Sequence, residues 1–164
     1  MSMSALDTLS TTAEIAITIA GFAGVVAVFR SSGNFTSEEI RRIIFLVIVN
    51  GSVVITALMP NALLDMGFPK QSAISVPSFM LGVMAIFVTL AFTLSIYRGS
   101  IRLLFPKVTA LLVLGVLSIG AALLLSVLTS LVVASYGLLL VGELVFILIA
   151  LWIFSTTLLW VKDI

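Results

Sequence analysis

VTALLVLGVLSIGAALLLSVLTSLVVASYGLLLVG, Val108 to Gly142, is a run of 35 residues without one charged side chain, bounded by Lys107 and Glu143. A membrane-crossing helix uses roughly 20 apolar residues at about 1.5 Å rise each. The run is therefore too long for one crossing and must turn. The predicted break is Thr129–Gly137, where Thr, Ser, Tyr and Gly gather around a short apolar stretch. Outward from it, the other uncharged runs are 15 residues between Glu14 and Arg30, 22 between Arg42 and Asp65, 27 between Lys70 and Arg98, and 18 between Glu143 and Lys162. The reading is an all-α, polytopic transmembrane bundle in one domain, residues 1–164, with five helices at about 8–30, 38–64, 75–98, 105–129 and 137–161.

Composition narrows the function. Of 164 residues 62% are hydrophobic, with 8 Lys and Arg, 7 Asp and Glu, and neither His nor Cys. That is far below the roughly 25% charge of a soluble domain, too little to coat its surface. A nucleic-acid binder needs a clustered basic face, and a disordered tail needs low hydrophobicity. Zinc-finger, haem-thiolate, iron–sulfur and disulfide chemistry lack their ligands, so no metal centre and no cofactor are expected.

The loop charges predict orientation. Arg30, Arg41, Arg42, Arg98, Arg102, Lys107 and Lys162 fall on one side of a five-span chain and only Lys70 on the other. The positive-inside rule then puts the N-terminus outside and the C-terminus in the cytoplasm of a plasma membrane, or the inner membrane of a bacterium. Tyr97 and Trp160 fit as interfacial anchors. The leading segment carries Asp7 ahead of its apolar run, unlike a cleavable signal peptide, and no appended soluble domain or internal repeat is read. The sequon at Asn34–Thr36 falls on the cytoplasmic side, where Thr36 and Glu39 instead have capping-box spacing for helix two.

In lipid, small and polar residues at helical spacing mark contact faces. Helix one has two such faces. Ala13, Ala16, Ala20, Ala23 and Ala27 form a small-residue seam, with Gly21 and Gly24 as further packing positions. Glu14, Thr18 and Gly21 lie roughly 140° from the seam on a 100°-per-residue wheel. Two non-lipid faces predict a central position for helix one in the bundle or the assembly, and self-association through it, giving a homo-oligomer. Asn50, Ala57 and Asn61 mark helix two, where Pro60 frees a carbonyl. Ser78, Gly82, Ala85, Thr89 and Thr93 mark helix three. Helix four carries Gly115, Ser118, Ala122, Ser126 and Thr129, and helix five carries Glu143 with Tyr136 and Thr157.

Two acids fall inside predicted spans. Counted from Arg30 and Lys162, Glu14 and Glu143 lie roughly 24 and 28 Å up their helices. At these comparable heights they could meet, within one chain or between neighbours, and share a proton or bind a cation. Thr11 and Glu14 also have capping-box spacing, which would instead start helix one at Thr11 and put Glu14 in its first, solvated turn. For Glu143 the alternative is a hydrogen-bonded packing residue, and for Asn50 an interhelical hydrogen bond.

Catalysis is not expected. Ser–His, Cys–His and His–metal sites are unavailable. The aspartates fall at membrane ends, and Glu38-Glu39-Ile40-Arg41-Arg42 reads as a solvated ionic cluster. The expectation is a homo-oligomeric channel or pore for cations, protons or small solutes. Glu14, Glu143, Asn50 and Thr18 lie on its ion pathway, the lipid bilayer is its surroundings, and nucleic acid is not a partner. The alternative is a non-catalytic anchor or scaffold subunit whose basic cytoplasmic face docks a protein partner.

Overall fold

A computed structural model of the chain describes residues 3–30, 37–98, 106–128 and 136–159. They form five helices: α1 (Met3–Arg30), α2 (Ser37–Asp65), α3 (Lys70–Tyr97), α4 (Pro106–Leu128) and α5 (Tyr136–Leu159). Each contains a segment long and apolar enough to cross a membrane, Leu6–Val25 in α1 and most of the other four. The chain is a multi-pass membrane protein. The predicted break survives only in part, because Tyr136 and Gly137 already belong to α5 and residues 129–135 lie outside the described set.

Two helix starts differ from the expectation. α3 begins at Lys70 rather than near 75. The backbone before it explains why. α2 ends in a Schellman motif: the Phe68 N–H donates to the Leu63 carbonyl at 3.0 Å and the Gly67 N–H to Leu64 at 2.9 Å. Gly67 takes φ +83°, a left-handed conformation that glycine adopts without a Cβ penalty. Pro69 follows with helix-compatible φ and stands immediately before the first turn, so Lys70, Gln71 and Ser72 are helical although they read as loop. α1 begins at Met3 rather than near residue 8. Thr11 is no N-cap, since its hydroxyl donates back to the Asp7 carbonyl at 3.0 Å. The capping-box reading of Thr11 and Glu14 is thereby corrected, and Glu14 sits several turns inside the helix.

The centre of the bundle is not α1. α2 packs on α1, α3 and α5, and α5 touches all four other helices, whereas α1 lies at the edge against α2 and α5. Burial agrees: 44% of the membrane segment of α2 and 39% of that of α5 is buried, against 28% for α1. The alanine seam explains the edge position. Ala13, Ala16 and Ala23 are buried and Ala20 is half-buried, with Ala13 and Ala16 in one core cluster with Val49, Val53 and Ala57 of α2. Small side chains let α1 approach α2 closely, so the chain itself consumes the seam. Ala27 lies outside the described side chains. Gly21 and Gly24 are exposed, and a Cβ on either would meet nothing within 4 Å, so neither is a packing glycine in the single chain.

The tightest contact is elsewhere. A Cβ on Gly120 would come within 2.8 Å of the Ala85 Cβ, and one on Gly82 within 2.9 Å of Leu124. These glycines bring the α3 and α4 backbones together. Gly142 on α5 instead makes room for side chains: a Cβ there would sit 2.9 Å from Leu81 and 3.0 Å from Leu123. The contact face of α4 thus runs through Val116, Gly120 and Leu123, and Ser118 of the expected stripe is exposed. Thr93 of the α3 stripe is exposed as well.

Candidate functional site

At one end of the bundle Glu38 and Glu39 open α2, where acids complement the helix dipole. Arg42 pairs with Glu38 at 2.7 Å, an i,i+4 ion pair. Glu39 and Arg42 are each only 7% exposed, which corrects the reading of this cluster as fully solvated. Thr36, read as the capping-box partner of Glu39, lies outside the described residues.

The interior holds a second polar group. Glu143 on α5 is 0% exposed. Its Oε1 lies 3.4 Å from the Thr56 hydroxyl on α2, and its Oε2 accepts no hydrogen bond among the described residues. Thr56 is nine residues before the end of α2, about 14 Å along the helix, so the pair sits well inside the membrane segment. Glu143 follows directly on Gly142, where side chains of α3 and α4 press against α5. Pro60, itself buried, has no N–H to offer the Thr56 carbonyl four residues earlier. The carbonyl freed by this proline therefore belongs to the residue beside Glu143.

Two further buried polar atoms lack partners among the described residues, Asn50 Oδ1 and Ser78 Oγ. The Asn50 amide donates to the Leu46 carbonyl at 3.0 Å within its own helix, so no interhelical hydrogen bond from Asn50 is found among the described residues. Ser78 lies one turn from Leu81, whose side chain packs beside Gly142.

Glu14 has the opposite placement. It is exposed, as are Asp7, Thr11, Thr18, Gly21 and Val25 of the same helix. These residues step by four and three along α1, a seven-residue repeat on one face. Thr11 and Thr18 each donate their hydroxyl proton to the carbonyl four residues earlier, Asp7 at 3.0 Å and Glu14 at 2.8 Å. What they turn outward is oxygen lone pairs. No hydrogen bond joins Glu14 to Glu143 among the described residues, so one chain does not pair the two carboxyls. Of the four expected pathway residues, Glu14 and Thr18 share the outer face of α1, while Glu143 and Asn50 are buried in the bundle.

Sequence reasoning missed Thr56. A threonine inside an apolar helix is no signal by itself, but Pro60 four residues later was one, because it names the residue whose carbonyl it frees. Among the described residues, no group of three or more acidic side chains is placed to hold a metal ion. The class of protein is a five-helix membrane bundle with one acid, Glu143, enclosed in its interior and another, Glu14, on an outward face. No protein-family model, curated protein or solved structure matches the chain.

Proposed function

We propose that the chain assembles into a homo-oligomeric channel conducting cations or protons, with the outer face of α1 turned toward a shared axis. The observation that carries this reading is Glu14: an acid inside the Leu6–Val25 membrane segment, turned away from its own chain. It lies eight residues from Leu6, about 12 Å into the segment. An acid facing lipid there costs at least about 2.5–3.5 kcal/mol, a cost that neighbouring copies around an aqueous axis remove. The seven-residue spacing of Asp7, Glu14 and Gly21 with Thr11, Thr18 and Val25 is the spacing by which helices pack at shallow left-handed crossings. Rings of Glu14 and of threonine oxygens, one set per subunit, present acceptors to a passing cation. The N-terminus faces outward and the C-terminus the cytoplasm across a plasma membrane, following the positive-inside asymmetry.

Purified protein in liposomes tests this directly. Wild type should carry monovalent-cation or proton flux, and Glu14→Gln should lower it at least about tenfold, the loss expected when about 1.4 kcal/mol of ion stabilisation is removed. Flux unchanged by Glu14→Gln would sink the acidic-ring reading. The anchor-subunit alternative draws on the exposed Arg41, Arg98 and Lys107. A stoichiometric partner co-purifying from native membranes, with no flux in liposomes, would favour it.

A further inference from the structure

We infer that Glu143 and Thr56 form a site within each chain for one small, dehydrated monovalent cation of sodium size, in exchange with a proton. Thr56 has a single hydroxyl proton and three oxygens near it: the Ser52 carbonyl at 2.9 Å, the Val53 carbonyl at 3.3 Å and Glu143 Oε1 at 3.4 Å. The proton goes to the nearest acceptor, the Ser52 carbonyl, leaving the threonine lone pairs toward the carboxyl. Glu143 contributes two more acceptors, one of them orphaned, and the Thr56 carbonyl has lost its i+4 donor to Pro60. The pair thus brings oxygen acceptors together around a single hydroxyl proton, itself given to the Ser52 carbonyl, in a position that is 0% exposed.

Such a cluster calls for positive charge. No Lys or Arg pairs with Glu143 among the described residues. A proton on the carboxyl serves one of its oxygens and leaves the other unserved. A cation serves both and neutralises the carboxylate. The charge selects a monovalent ion, because one carboxylate balances one positive charge. The spacing fits as well. Two oxygens bound at right angles to an ion of calcium or sodium size, at about 2.4 Å each, lie about 3.4 Å apart. That matches the separation of Thr56 Oγ1 and Glu143 Oε1, which is long for a direct O–H···O bond.

The site belongs to the single chain and does not depend on the channel reading. Thermal unfolding of the full-length protein in detergent, in sodium chloride against choline chloride at equal ionic strength, tests it. Wild type should melt at a higher temperature in sodium, with a gap that grows with sodium concentration. Glu143→Gln and Thr56→Val should close the gap, while Glu14→Gln should keep it. Equal melting of wild type in the two salts, or a gap that survives in Glu143→Gln, would overturn the site. A second measurement needs no variant. Modification of Glu143 by a hydrophobic carbodiimide, followed by peptide mass spectrometry, should slow about elevenfold when sodium reaches ten times its dissociation constant. Equal rates in both salts across the titration mean that a proton alone occupies Glu143, and the cation site is lost.

Discussion

Glu14 and Glu143 are the same side chain on two membrane helices, and the fold treats them in opposite ways. Glu143 is enclosed by its own chain, beside Thr56 and next to a glycine where α3, α4 and α5 touch. Glu14 is left on the outside of an edge helix that turns Ala13, Ala16 and Ala23 inward. The difference teaches that burial in one chain and burial in the membrane are separate questions. Under the two proposals, an ion completes the Glu143 region and other copies of the chain complete the Glu14 region.

The largest effect should come from jamming the interior. Gly120→Val puts two methyl groups and a Cβ against Ala85, with no flexible side-chain end to yield. Overpacking of this kind costs about 1–3 kcal/mol and sometimes more. Unfolding in detergent should show a large drop in stability, together with loss of the close α3–α4 contact. The matching change on the outer face is Gly21→Val, where an added Cβ meets nothing within 4 Å. There the monomer should change by no more than about 0.5 kcal/mol, with valine a slightly better helix former than glycine. Its effect should appear in assembly, as a shift toward smaller species in native mass spectrometry. A Gly21→Val protein that unfolds like Gly120→Val would erase the distinction between the two regions.

Much of this distinction was legible in the sequence, and the part that was not has physical reasons. The five spans followed from where charges stop, because every charge at a membrane end costs less than one inside. The alanine seam was legible, but not its partner. Ala13 and Ala16 could equally have met another chain, and only the position of Val49, Val53 and Ala57 shows that α2 covers them. On α4 the small residues misled. Gly115 and Ser118 have the composition of a contact face, yet the close approach runs through Gly120, on the opposite side of the wheel, between Val116 and Leu123. Small residues mark a face only when the neighbouring helix is there to use them. Thr56 and Glu143 are 87 residues apart, and no local pattern links them.

The absence of cysteine makes the outer face accessible to a cleaner experiment. Thr18→Cys adds the only thiol to the chain, on the face with Glu14. Mild oxidation should cross-link it between copies, while a thiol at Val83, exposed on α3, should not cross-link at a comparable rate. Efficient cross-linking at both positions would indicate random collision in the detergent micelle rather than a seam at α1.

The smallest effects are the most discriminating, because one chemical change can be made in both regions. Thr18→Val and Thr56→Val each replace a hydroxyl by a methyl group of similar size. In both, the hydroxyl donates to a carbonyl of its own helix, at 2.8 Å for Thr18 and 2.9 Å for Thr56. That bond is redundant with the helix ladder, so neither change should cost more than about 1 kcal/mol in unfolding. The functional readouts should separate. Thr18→Val removes one oxygen per subunit from the outer face, so it should weaken ion flux less than Glu14→Gln and leave the sodium-dependent melting intact. Thr56→Val removes the oxygen beside Glu143 Oε1, so sodium-dependent melting should vanish while cross-linking through Thr18→Cys persists. If both substitutions moved both readouts together, Glu14 and Glu143 would belong to one continuous pathway, and the contrast between an ion held within the chain and an ion passed between chains would collapse.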